Sequence, residues 1–263
     1  VAETEDGKKD VKKLAKNTGF LYLLSLSSQI VNLALIPFET RVLGSEAYGV
    51  IALSVAMSSI ITIVLDFGLI LSATERVVKL AGNAASLARL LGNVACAKAC
   101  LALAVGMVIV VLILFVPPFS EYRSLFLLYY LAYAVNAFLP DFFYRGHEDM
   151  RIITVRTVMV KVISALPIFF LLRGPSDMWV VPALLLAGNA AAVFFSYCDI
   201  RKRYRVEALT FDVKESFGIL RASFGFFVSR FSSVFYQSMN SVLLGFVYPG
   251  QAVVGFYGAA EKF

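Results

Sequence analysis

Histidine occurs once in this 263-residue chain, at His147, and cysteine three times, at Cys96, Cys100 and Cys198. No cluster of His and Cys can therefore be assembled around a metal. The cysteines, each inside an apolar run, read as small packing residues. A single histidine is also thin material for acid–base catalysis. Charge is scarce: Asp, Glu, Lys and Arg make up 16% of the chain, against about 25% in typical soluble domains. No phosphate-binding glycine loop, catalytic triad or nucleic-acid motif occurs. Nothing implies a cofactor, and the chain does not read as an enzyme.

What is present is apolar. Hydrophobic residues make up 59% and aromatics 14%, with a mean hydropathy of +0.79. Apolar stretches fall at about 17–38, 48–71, 93–116, 124–144, 157–172, 178–198 and 222–248, and another starts at 253. About 20 helical residues cross the roughly 30 Å of bilayer hydrocarbon. A lipid-embedded backbone must satisfy its own hydrogen bonds, so the spans are expected to be helices. The fold class is an all-α polytopic membrane protein.

Basic residues orient it. With a cytosolic N-terminus, the segments 1–16, 72–92, 145–156 and 199–221 hold 17 lysines and arginines. The loops on the other side, Glu39–Ala47, Pro117–Arg123 and Arg173–Asp177, hold 3: Arg41, Arg123 and Arg173. This asymmetry is the positive-inside pattern, and it accounts for the net charge of +6 without nucleic acid. The expected organisation is a basic cytosolic tail (1–16), a six-helix bundle (17–199), a cytosolic interfacial linker (200–221) and the start of a second bundle (222–263). No cleavable signal peptide is visible ahead of Asn17. The chain starts at Val1 rather than Met and stops about ten residues into an apolar segment, so the expectation is a fragment of a longer protein.

A repeat underlies the spans. Displacing the first span by 205 positions sets Ser25 on Arg230, Ser27 on Ser232, Ser28 on Ser233 and Asn32 on Gln237. Ser45, Glu46 and Ala47 then fall on Gly250, Gln251 and Ala252, and one inserted residue sets Gly49 on Gly255. Six intervening helices give the copies the same orientation, so they are parallel repeats about an axis along the membrane normal. The chain then comprises one six-helix bundle repeat plus the first hairpin of a second.

Polar residues inside spans are the candidates for chemistry. Arg230, Ser233, Gln237 and Asn240 are spaced 3, 4 and 3 apart, on one helical face. Ser25, Ser28 or Gln29, and Asn32 form the matching stripe in the first span. An arginine within a span costs about 2.5–3.5 kcal/mol at the centre. It either snorkels to the interface while the amides glue helices together, or it lines a water-filled cavity. A stripe that continues beyond snorkelling reach favours the cavity. Lys98 and Lys161 each read singly as snorkelling lysines. With Arg230 they suit a cationic cavity for an anionic substrate. Asp66 and Asp141 either pair with nearby cations or act as proton- or cation-coupling carboxylates. Arg41 and Glu46 sit at the outer rim as a candidate pair or gate. Gly92, Cys96 and Cys100 form a small-residue ridge for close helix packing, and Trp179 belongs to an aromatic belt.

The segments RVLGSEAYG (41–49), LDFGLILSATER (65–76), FFYRGHEDMRIITVR (142–156), SRFSSVFYQSMNSVLLG (229–245) and VGFYGAAEKF (254–263) occur in order. Together they closely resemble the polysaccharide biosynthesis transporters, the O-antigen flippase family of the multidrug/oligosaccharidyl-lipid/polysaccharide exporter superfamily. The resemblance implies a MATE-like fold of two bundles around a central cavity. It also implies a prokaryotic cytoplasmic-membrane location and alternating-access transfer of an undecaprenyl-pyrophosphate-linked oligosaccharide to the outer leaflet. The implied partners are this lipid-linked oligosaccharide (a polyprenyl pyrophosphate), membrane lipids and other polysaccharide assembly proteins. Two alternatives remain. A multidrug cation antiporter of the same superfamily needs a deep carboxylate that the first span lacks. A membrane glycosyltransferase or polymerase generally needs larger loops than these.

Overall fold

A computed structural model describes the backbone of residues 2–206, 209–247, 256, 257 and 260; side chains are described except for most of the first 32 residues, Pro118 and most of 234–242. Among the described residues every regular element is helical: α1 (Ala2–Asp66), α2 (Leu69–Lys79), α3 (Ala84–Phe115), α4 (Pro117–Ser120), α5 (Arg123–Ala137), α6 (Asp141–Gly146), α7 (Met150–Leu171), a 3-10 turn (Pro175–Asp177), α8 (Val180–Tyr204) and α9 (Val213–Val247). Among the described residues, five segments are long and apolar enough to cross a membrane: Leu33–Lys79, Ala84–Phe115, Arg123–Gly146, Met150–Leu171 and Pro175–Tyr204. Leu103, Met107, Val111, Ile163 and Phe194 are large apolar side chains left exposed on them. Such surfaces suit a hydrocarbon solvent. The protein is an all-α polytopic membrane protein.

At 65 residues, α1 would measure about 98 Å if straight, far more than a bilayer. It breaks at Gly44 (φ 77, ψ 170). The expected loop over Glu39–Ala47 is thus reduced to a single non-helical residue. A positive φ is open to glycine because it has no Cβ, and no atom lies within 4 Å of where a Cβ would stand. Backbone conformation, not crowding, selects glycine here. Leu43, Ala47, Tyr48 and Val50 beside the break are buried, and Leu43, Ala47 and Val50 belong to a core cluster with Phe119, Phe126 and Leu172.

Two expected spans are broken helices. The second breaks at Phe67 and Gly68, both at positive φ (46° and 72°), where α1 hands over to α2. The fourth breaks after Ala137, because Pro140 has no N–H to continue the ladder and α6 starts afresh at Asp141. The fifth, expected at 157–172, runs from Met150 to Leu171 and takes Arg151 and Arg156 into the helix. The stretch 200–221 is entered from both sides, since α8 continues to Tyr204 and α9 begins at Val213. Most of the segment from 253 onward, and its preceding loop Tyr248–Ala252, lie outside the described residues.

The breaks sort the interior into two apolar clusters. One surrounds Leu43, Val50, Ile61, Phe126 and Leu172. The other surrounds Leu69, Val77, Leu91, Phe142, Phe143, Tyr144 and Ile200. The second cluster lies at the basic end, where Arg145, Arg151 and Arg201 sit.

Candidate functional site: a charged belt beside the broken helices

The helix breaks place polar groups between the clusters. Where α5 ends at Ala137, the carbonyl of that residue has no helical partner, and Lys98 Nζ of α3 donates to it at 2.5 Å. The same ammonium lies 5.7 Å from the centre of the Phe142 ring. Lys98 is only 6% exposed, and Asp66 and Asp141 both act on it electrostatically. A lysine expected to snorkel or line a cavity is therefore buried, bonded to a backbone carbonyl and in the field of two carboxylates. A buried ammonium needs such partners, because the loss of hydration costs several kcal/mol.

Each belt carboxylate has an arginine. Asp66 Oδ2 accepts from Arg230 Nη1 of α9 at 3.1 Å. Asp141 pairs with Arg156, which also donates from Nη1 to Ser196 Oγ at 3.0 Å. Beyond Ser196, the Tyr144 hydroxyl donates to the Ser196 carbonyl and to Asp199 Oδ2, both at 3.0 Å. Arg203 then joins Asp199 (3.9 Å) and Asp149 (3.1 Å). The chain of charges runs from α9 through α1, α3, α6 and α7 to α8.

The contact between α9 and the helices before it is built around the Asp66-Phe67-Gly68 break. The Phe67 ring stacks on Phe227, with centroids 4.4 Å apart and planes 12° from parallel. A Cβ at Gly68 would stand 2.7 Å from Phe226 Cβ and 2.8 Å from the Ser223 carbonyl oxygen. Glycine is thus required both by its φ and by the closeness of α9. Ser72 and Ser223 share a hydrogen bond at 2.5 Å. Nearer the basic end, Glu215 of α9 accepts from Asn93 (2.7 Å) and pairs with Arg89 (2.7 Å). Asn93 Oδ1 takes the Asp212 N–H at 2.6 Å. Gly92 lets this happen, since a Cβ there would lie 2.2 Å from the Thr210 carbonyl oxygen. The small residue expected to serve helix packing serves a linker crossing.

The other sequence candidates are spread along the molecule. Ser233 lies on the exposed side of α9, one turn beyond Arg230. Lys161 is half-buried on α7 and is engaged with a neighbour. Arg41 and Glu46 are exposed on either side of Gly44 and do not pair with each other. Ser25, Ser28 and Asn32 on α1, and Gln237 and Asn240 on α9, have side chains outside the described set. No group of three or more metal-ligating side chains occurs among the described residues, and the three cysteines are free thiols. His147 caps α6, its ring between Phe143 and Tyr204.

Sequence reasoning missed the Asn93–Glu215 clamp and the Asn136–Asn189 hydrogen bond (3.1 Å) between α5 and α8, and it noted Glu39 as an acidic group near a span without giving it a role. This last carboxylate is 7% exposed and interacts electrostatically with Tyr48 and Tyr129. The buried Tyr129 hydroxyl has no hydrogen-bond partner among the described residues. Partner distances across 50 or more residues leave no local signal, although a lone Asn or Glu at a span edge is a usable flag.

Comparison with known proteins follows the same lines. A family model described as "Polysaccharide biosynthesis protein" matches residues 14–263. A relative from Shigella dysenteriae, named "Putative O-antigen transporter", is 24% identical over 256 residues, covering 95% of this chain and 62% of the relative. A second of the same name, from Escherichia coli (strain K12), is 20% identical over 248 residues, covering 94% and 60%. The chain thus spans about three fifths of the length of these relatives. No solved structure matches it significantly.

Proposed function

Since this chain belongs to the polysaccharide biosynthesis protein family, we propose that it forms part of a flippase carrying an undecaprenyl-pyrophosphate-linked oligosaccharide across the cytoplasmic membrane by alternating access. Its N-terminus is cytosolic and its two bundles are parallel, MATE-like repeats, the second beginning with α9. The observation that carries this reading is Arg230, a half-exposed arginine of α9 held by Asp66 beside the α1–α2 break.

A guanidinium binds carboxylate and phosphate with the same fork of donors. The substrate pyrophosphate exchanges with Asp66 at Arg230, which loosens α9 from the α1–α2 break. Ser233 continues the polar path on α9, and we extend it to the sequence stripes of Gln237 and Asn240 and of Ser25, Ser28 and Asn32. Lys161 adds positive potential, Lys98 holds the end of α5 behind the path, Asp141 holds Arg156, and Arg41 and Glu46 flank the outer mouth. With the inside negative, outward movement of each negative charge gains about 2.3 kcal/mol per 100 mV.

The test is flipping of a lipid-linked oligosaccharide in proteoliposomes. Arg230→Ala is expected to cut the rate at least tenfold while membrane insertion, read by cysteine labelling of the loops, is unchanged. Normal transport by correctly inserted protein would overturn the assignment.

A further inference from the structure

A groove of about 670 Å³ runs between α7 and α8 on the outside of the bundle, away from the Asp66–Arg230 contact. Its α7 wall is a ridge at every fourth residue: Arg151, Val155, Met159 and Ile163. Val155 is 45%, Met159 55% and Ile163 58% exposed. The depression exists because α8 offers Gly188, Ala191 and Ala192 opposite that ridge.

Its dimensions are those of one leaflet. From Arg151 to Ile163 is twelve helical steps, about 18 Å, close to half of the roughly 30 Å hydrocarbon layer plus part of the headgroup zone. The groove ends there because α7 and α8 close on each other. A Cβ at Gly188 would stand 2.5 Å from Ser164 Oγ. A partner helix crossing the whole bilayer would need a groove of twice that length. A molecule confined to one leaflet fits.

Its polar mouth is cationic. Arg151 is exposed and forms no ion pair among the described residues. Arg156, whose side chain is 9% exposed, lines the groove with its Nε buried and unpartnered. Arg203 also lines the mouth. Asp149 and Asp199 are there too, and Arg203 reaches both of them. Asp149, the residue ahead of α7, makes no side-chain cap, and the first turn of α7 holds no acidic residue. The first N–H groups of that helix are therefore open to an anionic oxygen.

We propose that this groove binds an anionic phospholipid of the leaflet at the basic end, with its phosphate at Arg151 and the α7 N-terminus and one acyl chain along Val155, Met159 and Ile163. The site is a fixed lipid position on the first bundle. It shares Arg156 with the charged belt, but none of its lining residues belongs to the Asp66–Arg230 junction that carries the flippase reading.

The test places the purified protein in phosphatidylcholine nanodiscs with spin-labelled phosphatidylglycerol or spin-labelled phosphatidylcholine, and measures the immobilised fraction. Phosphatidylglycerol is expected to be favoured about fivefold, the preference one arginine near a membrane surface supplies. Arg151→Gln, an exposed change that leaves packing alone, brings the ratio close to one, and Arg151→Lys keeps most of it. Ala191→Phe, which fills the groove, removes the immobilised component. Equal retention of the two lipids, or a preference unchanged in Arg151→Gln, overturns the proposal. So does displacement of the labelled phospholipid by equimolar undecaprenyl phosphate, which would make the site one for the carrier lipid. Loss of flipping in Arg230→Ala leaves this result untouched, so the two readings fail separately.

Discussion

Replacing Asp66 by asparagine is the sharpest probe of the α1–α9 junction, because it keeps the shape and removes the charge that occupies Arg230. Two unit charges about 4 Å apart attract by about 4 kcal/mol at the effective dielectric near a protein surface. Here the N–O distance is 3.1 Å, but the side chains are 47% (Arg230) and 19% (Asp66) exposed. Solvent screening and the ordering of a long arginine reduce the net value to about 1–2 kcal/mol. If the substrate pyrophosphate must displace Asp66, that energy is a tax on binding, and its removal tightens apparent affinity about tenfold. The assay is equilibrium binding of a short-chain polyprenyl pyrophosphate to purified protein, in four backgrounds: wild type, Asp66→Asn, Arg230→Ala and the double variant. Asp66→Asn is expected to tighten binding in the wild-type background and to do nothing once Arg230 is gone. Equal affinity in wild type and Asp66→Asn, or the same gain in the Arg230→Ala background, would refute the competition between carboxylate and phosphate.

Three further outcomes are expected. Gly68→Ala, which combines a positive φ of 72° with a Cβ 2.7 Å from Phe226, should cost about 2–4 kcal/mol and separate α9 from α2; lowered thermal stability and lost cross-linking between cysteines placed on the two helices report it. Lys98→Met leaves the Ala137 carbonyl without its donor and should lose about 1–3 kcal/mol, again read as thermal stability; Lys98→Arg should recover less than half, since the ammonium site is enclosed. Glu39→Gln removes a buried acid that forms no ion pair among the described residues and should leave thermal stability unchanged or raise it by about 1–2 kcal/mol, whereas a loss of similar size would mean that Glu39 has a charged partner.

Particular residues show which features were legible and why. Gly44 was readable as a turn because a short polar stretch between two 20-residue apolar runs has few other meanings. Its reduction to one residue was not, because the burial of Leu43, Ala47 and Tyr48 depends on helices far along the chain. Asp66 and Asp141 were visible as costly charges, and pairing with arginine was one of their two readings. That the arginines are Arg230 and Arg156, respectively, required the fold. Lys98 had looked like an interfacial lysine, since hydropathy counts depth along a helix and not direction around it. Glu39, Asn93 and Glu215 went unremarked as site residues because each is locally an ordinary span-edge polar group.

The amino-acid sequence by itself determined the solvent of this protein, its helical class, the number of apolar runs and their basic asymmetry. These follow from composition and from the backbone's need for internal hydrogen bonds in lipid, which are local properties. The tertiary structure alone decided where helices break into usable carbonyls, which charges neutralise one another, and how closely α9 approaches Gly68. Those depend on distances between residues separated by as many as 164 positions, and a one-dimensional pattern carries no such distances.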